Sequence, residues 1–145
     1  MLKINTGNII LPIERDGKNV GEISFNPSDA FFIDKLYALY EKMDTKQKEY
    51  QKKATKLECK DLDEYGIPKN MRSQIELYNE ACEYMCGEID GLFGENTCKK
   101  VFGGTTNFEL FEQFLNGIAE YVQPIRKERM SKYLNREQKR AAGLK

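Results

Sequence analysis

The sequence predicts a mainly α-helical protein: an N-terminal β-hairpin, then a three-helix antiparallel bundle with a long first helix, then a basic C-terminal tail. Two observations support this fold class. Apolar residues recur at helical 3-4 spacing in three long segments, and strand-like alternation surrounds an Asp-Gly pair near the start. The 145 residues suit one domain. We expect a hairpin at 1–26, a helical domain at 27–133 and a flexible tail at 134–145.

The predicted hairpin occupies residues 8–25, NIILPIERDGKNVGEISF. Its centre, Asp16-Gly17, suits a type I′ turn, because both central positions of that turn need a positive φ. On the second arm Val20, Ile23 and Phe25 nearly alternate with polar residues. A two-stranded ribbon is marginal in water, so we expect it to lie on another part of the chain or to pair with another chain.

The first helix is predicted to start at residues 26–29, Asn-Pro-Ser-Asp, with a capping side chain, a proline in the first turn and an acidic residue near the positive end of the dipole. An apolar stripe follows, and Tyr50 and Leu57 extend it weakly. Its members are Phe32, Leu36, Leu39 and Met43. Residues 45–56, TKQKEYQKKATK, are mostly polar, so the second half of this first helix is expected to project into solvent or to lie against a partner. The stretch 65–68, Tyr-Gly-Ile-Pro, ends this region.

Two further helices show the same 3-4-3-4-3 apolar spacing, and we expect them to pack antiparallel to each other. The second is predicted from about Met71 to Leu92, with the stripe Ile75, Tyr78, Cys82, Met85, Ile89 and Leu92. The third is predicted to begin at Thr106 in a capping box with Glu109. Its stripe is Phe108, Phe111, Leu115, Ile118, Val122 and Ile125, with a kink or an end at Pro124.

Residues 93–107, FGENTCKKVFGGTTN, raise the question of a phosphate-binding loop. The Walker pattern needs a strand before the loop and a glycine directly before the lysine, whereas here a helix precedes it and the pair Gly103-Gly104 follows both lysines. Gly94 and the glycine pair instead suit a helix stop and a flexible approach to the next helix. We expect Val101 and Phe102 to form an apolar plug beneath the helices.

No catalytic, cofactor or metal site is predicted, and the protein is not expected to be an enzyme. The chain lacks histidine, so its serines and cysteines have no imidazole to activate them. Cys82 and Cys86 lie one helical turn apart, but no second ligand pair has zinc-site spacing. No secretory signal and no membrane-length apolar run is visible. We therefore expect a cytoplasmic protein in which all four cysteines, the other two being Cys59 and Cys98, are free thiols.

Charge is unevenly distributed, although the formal total is zero. Residues 126–145 contain eight basic and two acidic side chains, a charge of +6, so the other 125 residues carry −6. Such a tail can contact nucleic-acid phosphates, with Tyr133 stacking on a base. It can also dock on an acidic protein surface. Of the two partners nucleic acid is disfavoured, because the rest of the chain carries −6 and repels a polyanion. We expect a protein partner rather than nucleic acid.

Three stretches together resemble a known family: NIILPIERDGKNVGEISFNPSDAFF, EIDGLFGENTCKKVFGGTTNFELFEQFL and YLNREQKRAA. They look like the small tail assembly chaperones of phages and prophages of Gram-positive bacteria. The resemblance implies a homo-oligomeric helical protein in the host bacterial cytoplasm. Such a protein binds the tape measure protein, keeps it soluble and helps to recruit the tail tube protein. A virion structural subunit and a nucleic-acid-binding phage regulatory protein are the alternatives.

Two candidate partner-binding sets follow from the residues. The first is the phenylalanine-rich face Phe108, Phe111 and Phe114. Within it Phe114 lies off the main stripe, so it either faces a partner or widens the core stripe. The second set is basic and binds an acidic surface of a neighbouring copy or of the client protein. Its members are Arg126, Arg129, Arg136, Lys139 and Arg140.

Overall fold

The computed structural model describes residues 1–57 and 60–122, and this part of the chain is mainly helical with an N-terminal antiparallel hairpin, as predicted. Two strands are followed by three helices and by a fourth helix, α4, at residues 108–122. The described part therefore contains four helices rather than three. The bounds are β1 Ile9–Arg15, β2 Lys18–Phe25, α1 Ala30–Lys56, α2 Met71–Phe93 and α3 Thr97–Phe102.

The hairpin forms around the predicted turn. Asp16 and Gly17 have φ values of 53° and 83°, as a type I′ turn requires. The ribbon is anchored to α3 from both strands: Arg15 Nη1 of β1 donates to the Lys100 carbonyl at 2.7 Å, and Lys100 Nζ donates to the Glu22 carbonyl of β2 at 3.1 Å. The expectation that the ribbon lies on another part of the chain is confirmed.

Helix α1 spans 27 residues and begins one residue after Asp29, whose carboxylate accepts a hydrogen bond from the Phe31 amide at 3.0 Å. The prediction that proline occupies the first turn is wrong. Asn26 Oδ1 accepts from the Ser28 amide at 2.9 Å, which folds residues 26–28 into a turn before the helix. Pro27 therefore lies outside α1, and the acidic residue is itself the cap.

Helices α1 and α2 pack antiparallel along most of their lengths. Phe32, near the start of α1, contacts Phe93 at the end of α2, with ring centroids 5.8 Å apart. Tyr50, near the end of α1, contacts Tyr78 with centroids 5.1 Å apart. The second half of α1 was expected to project into solvent or to lie against a partner. It is mostly exposed, and Tyr50 is the point at which it contacts Tyr78 of the same chain.

Helix α4 also runs antiparallel to α1. Tyr50 contacts Phe108 at the start of α4, with centroids 6.3 Å apart, and the Tyr40 hydroxyl donates to the Leu115 carbonyl further along. Since α2 and α4 both oppose α1, they run parallel to each other. The prediction that these two helices are antiparallel is wrong, because residues 94–107 do not make a tight turn but return the chain to the starting end of α2.

The start of α4 differs from the predicted capping box. The helix begins at residue 108, and Asn107 Oδ1 accepts from the Leu110 amide at 2.8 Å. The Tyr78 hydroxyl accepts from the Phe108 amide at 2.9 Å, so α2 satisfies a second free donor of this helix end. Thr106 lies before the helix, and its hydroxyl donates to the Cys82 thiol. The cap is therefore one residue later than predicted.

One hydrophobic core joins the hairpin to all four helices. Met85, Ile89, Phe111 and Leu115 have no exposed surface. Ile75 does not follow the predicted stripe and is half exposed, because α4 begins level with Tyr78 and leaves the first turns of α2 uncovered. The buried apolar residues are Ile23, Phe25, Phe32, Leu36, Leu39, Met43, Ala81, Cys82, Met85, Ile89, Cys98, Phe102, Phe108, Phe111, Phe114, Leu115, Ile118 and Val122.

Candidate protein-binding surfaces

The three phenylalanines proposed to meet a partner lie in the core of the chain. Phe111 is fully buried, and Phe108 and Phe114 are nearly so. Phe114 contacts Phe93 and Phe102, with centroids 5.2 and 5.7 Å apart. The interpretation that Phe114 faces a partner is therefore wrong for this structure, and the alternative, that it widens the core stripe, is correct. The reason is that hairpin and α3 cover the side of α4 that α1 and α2 leave open.

The basic set lies outside the described residues, as do Pro124 and Tyr133. Its five members are Arg126, Arg129, Arg136, Lys139 and Arg140. The described residues do show where an acidic counterpart lies. Six acidic and no basic side chains lie in residues 73–96, which cover most of α2 and the residues just after it. Three acidic and no basic side chains lie in residues 101–122, which include α4. The parallel neighbours α2 and α4 therefore carry an excess of acidic residues, of which Glu88 is paired with Lys42 of α1 at 2.8 Å.

The glycine-rich stretch at 93–107 is a structural connection. The side chain of Lys100 contacts the hairpin, where its Nζ donates to the Glu22 carbonyl, and the carbonyls of Lys99 and Lys100 both accept from Arg15. Gly94 ends α2 with a φ of 114°, as predicted. Val101 is half-buried and Phe102 is buried against Phe111 and Phe114, so the predicted apolar plug is confirmed. The short helix α3 within this stretch was not predicted, because six residues give too little periodicity to detect.

The cysteines depart from the expectation of free thiols. Cys86 of α2 and Cys98 of α3 form a disulfide, with Cα atoms 5.5 Å apart. Their spacing in the sequence did not predict this bond. The two cysteines meet because α3, which was not predicted, places Cys98 beside α2. Cys82 is a buried free thiol; burial raises its pKa, while hydrogen bonds from Thr106 and Tyr78 lower it, and the balance is a raised pKa. Cys59 lies outside the described residues.

An ordered loop before α2 presents apolar side chains to solvent. Leu62, Tyr65 and Ile67 are 53%, 79% and 45% exposed, and Ile75 follows on the first turns of α2. We call these four residues the apolar loop surface. Gly66 takes a φ of 77°, which a turn at this point requires.

Hydrogen bonds hold the apolar loop surface in shape. Asp63 Oδ1 accepts from the amides of Tyr65 and Ile67 at 2.8 and 3.0 Å, and the Asp63 amide donates to the Ile67 carbonyl at 2.8 Å. Leu62 and Pro68 form an antiparallel bridge. Asn70 Nδ2 donates to the Leu57 carbonyl, which ties the start of α2 to the end of α1. The backbone of the loop is therefore preorganised and needs little ordering when a partner binds.

The sequence analysis treated this loop only as a break between helices. The available signal was the clustering of Leu62, Tyr65 and Ile67 within six residues next to Asp63 and Gly66. Asp63 and Gly66 are typical of a turn, and apolar residues before, within and after a turn are expected to point outward. Periodicity arguments miss it, because a turn has no repeat.

Other kinds of site receive no support from the described residues. In 1–57 and 60–122, no three or more cysteine or carboxylate side chains form a group that could hold a metal ion. Over the same ranges, no helix has both the length and the apolar character needed to cross a membrane.

The model of a protein family of unknown function, DUF6673, matches residues 19–143. The match covers most of the chain, so the protein belongs to this family. No curated protein and no solved structure matches the chain.

Proposed function

We propose that this DUF6673 member is a tail assembly chaperone of a siphophage or prophage of Gram-positive bacteria, acting in the host bacterial cytoplasm. In this proposal it binds the tape measure protein, keeps it soluble and helps to recruit the tail tube protein, as a homo-oligomer and without chemistry of its own. The resemblance of three sequence stretches supports the choice of client. The observation that carries protein binding is the apolar loop surface.

The energetics of the apolar loop surface suit reversible binding of an apolar client. Fully burying a large apolar side chain contributes about 1.5–3 kcal/mol. Leu62, Tyr65 and Ile67 together therefore supply several kcal/mol, against which association and ordering costs of similar size must be set. A chaperone that must later release its client needs such moderate affinity. The preorganised backbone lowers the ordering cost without adding contact area.

The uneven charge supports a second contact in the same proposal. The excess of acidic residues on α2 and α4 attracts basic segments, and residues 126–145 are the most basic stretch of the chain. We propose that this stretch binds an acidic surface of a neighbouring copy or of the client. The contact is electrostatic and solvent-exposed, so it weakens as salt rises.

Co-expression with the tape measure protein tests client binding. We expect the wild-type chain to keep the client in the soluble fraction and to co-purify with it. The triple variant L62S/Y65S/I67S should fold normally, because all three side chains are exposed, but should lose most of this effect. The control is Phe31→Ser, which removes another largely exposed aromatic side chain, 67% exposed on α1. Equal client solubility with the triple variant and the control would refute the role of the apolar loop surface.

Removal of residues 134–145 tests the basic stretch. The full chain and the truncated chain are compared by light scattering and by client solubility at low and high salt. We expect smaller assemblies or less soluble client after truncation. If both measurements stay unchanged, residues 134–145 have no part in the mechanism.

The two alternatives predict different observations. A nucleic-acid-binding regulator binds duplex DNA with an affinity that falls steeply as salt rises, whereas the proposed chaperone shifts no DNA in a gel. A virion subunit stays in purified phage particles, whereas a chaperone is absent from them. Mass spectrometry of purified particles separates these last two functions directly.

A further inference from the structure

The first four residues form an extended arm with unpaired apolar side chains. Met1, Leu2 and Ile4 are 108%, 84% and 74% exposed, so most of their surface is left uncovered within the protomer. We call residues 1–4 the N-terminal arm. In an extended chain Leu2 and Ile4 point to one side and Lys3 to the other. Such a segment has the pattern of a strand with one apolar face.

Residues 5–8 hold the arm in a fixed direction. The Gly7 amide donates to Asn5 Oδ1 at 3.0 Å, and Asn26 Nδ2 donates to the Thr6 carbonyl at 2.8 Å. Gly7 has a φ of +85°, and a Cβ there would lie 2.7 Å from Ser28 Oγ, so the chain passes close to the start of α1. The arm is thereby anchored at the open end of the hairpin, away from the Asp16-Gly17 turn.

A groove with a volume of about 510 Å³ runs between β1 and α4. Its lining includes consecutive residues 11–16, whose side chains alternate between the two faces of β1, so the groove follows the edge of this strand. Leu11, Ile13, Phe114 and Ile118 contribute apolar surface. The rim carries the acidic side chains Glu14, Asp16 and Glu120 together with Arg15. We call this cavity the β1 groove.

We propose that the N-terminal arm of one copy binds in the β1 groove of a second copy. Leu2 and Ile4 then lie on the apolar floor, and Lys3 lies against the acidic rim. The arm lies at the open end of the hairpin, and the groove runs along β1 towards the turn. This proposal deepens the self-association included in the proposed function, but its test needs no client, so the two can fail separately.

The dimensions and chemistry of the two features match. Four extended residues span about 13 Å, close to the length of four residues of β1. The free edge of β1 presents backbone groups that an added strand can pair with. Pro12 has no amide hydrogen, so this ladder is short and side-chain burial carries most of the contact. Lys3 is opposite in sign to the net charge of the rim, where three carboxylates outnumber the Arg15 guanidinium.

A second copy fits as the occupant better than the arm of the same copy. Residues 5–8 are hydrogen-bonded beside residues 24–28, whereas the groove extends along β1 towards the turn. To enter its own groove, the arm would have to reverse at the residues that are anchored. A contact between different surfaces of two copies is heterologous, so it can continue from copy to copy.

Two changes test the proposal on the full chain. The first removes residues 1–4. The second, Gly117→Arg, fills the β1 groove from α4, where a Cβ meets nothing within 4 Å and the fold is not disturbed. The matched control is Gly87→Arg on α2, which also points into open space but lies outside the groove. Oligomer size is measured by sedimentation over a wide range of protein concentration.

We expect the wild type and the Gly87→Arg control to associate as concentration rises. Both test variants should associate at least about 100-fold more weakly, since each buried aliphatic side chain contributes about tenfold or more. An equimolar mixture of the two variants should form a 1:1 dimer, because one supplies an intact arm and the other an intact groove.

Three results would overturn the proposal. One is a wild-type chain that remains monomeric at about 100 μM, since even a millimolar-range contact is visible near that concentration. Another is association that neither change weakens. The third is a monomer in which Gly117→Arg makes the arm newly sensitive to protease, which would place the arm in the groove of its own copy.

Discussion

The two long connections of the bundle differ in where their apolar side chains go. The connection at residues 94–107 buries Phe102 against α4 and is joined to α2 by the Cys86–Cys98 disulfide. The connection at residues 60–70 is also ordered, yet it exposes Leu62, Tyr65 and Ile67. Both contain glycine turns and charged residues. The connection at residues 94–107 is part of the core because the hairpin and α4 flank α3.

The largest expected difference between the connections is in core packing. Phe102→Ala removes a ring that lies 5.4 Å from the ring of Phe111, and we expect it to cost about 3–5 kcal/mol of unfolding free energy. Tyr65→Ala in the other connection should change stability by less than about 0.5 kcal/mol. Denaturant unfolding measures both. Equal losses would mean that the two connections are packed alike.

The disulfide should give the next largest effect. Its cysteines are 12 residues apart, and a loop of this size contributes about 2–3 kcal/mol when closed. We expect a reducing agent to lower the unfolding free energy of the wild type by about this amount. The double variant C86S/C98S should start at the lower stability and should not respond to the reducing agent. A response in the double variant would show that another bond is being reduced.

At the end of the buried connection, the Tyr78 hydroxyl of α2 accepts a hydrogen bond from the first amide of α4. Tyr78→Phe removes the acceptor of the Phe108 amide, and we expect a loss of about 1 kcal/mol at neutral pH. Burial raises the pKa of Tyr78, so the fold favours the neutral phenol. That contribution is complete below the ordinary pKa of about 10 and is lost as pH rises above it.

Stability of the wild type should therefore fall at alkaline pH, and it should fall less steeply in Tyr78→Phe. Burial also raises the pKa of Tyr40 and Cys82, so some alkaline loss remains in the variant. Thermal unfolding between neutral pH and about pH 11 measures the effect. An identical alkaline slope in both proteins would contradict the assignment to Tyr78.

The smallest effect on overall stability is expected in the exposed connection. Asp63→Ala removes the acceptor of the Tyr65 and Ile67 amides, and we expect these two amides to exchange hydrogen about tenfold faster or more. The global unfolding free energy should fall by less than about 1 kcal/mol. Glu64→Ala, at the neighbouring exposed position, is the control. Widespread faster exchange would mean that this turn supports the whole fold.

Much of the fold was predictable because its signals are local. Asp16-Gly17 specifies the hairpin turn, and the apolar spacing placed α2 within one residue of its observed bounds. Proximity in space was not predictable. Nothing local distinguishes Phe114, which is buried, from Ile75, which is exposed, because each outcome depends on which element covers that face.

The candidate binding surfaces were predicted less well than the fold. The phenylalanine face was expected to reach a partner and is buried instead, whereas the apolar loop surface was seen only as a helix break. Apolar character says that a side chain avoids water, but it does not say whether the chain itself or another molecule covers it. The basic positions beyond residue 122 remain a prediction from charge.

By itself the sequence determined the elements: the turn between two strands, the long first helix, the stop at Gly94 and the apolar stripes. These depend on backbone preferences and periodicity within a few residues. Tertiary structure alone decided that α2 and α4 run parallel and that Cys86 meets Cys98. It also decided that no other described part of the protomer covers the N-terminal arm or fills the β1 groove. Such features depend on distances between residues far apart in the chain, which local preferences do not set.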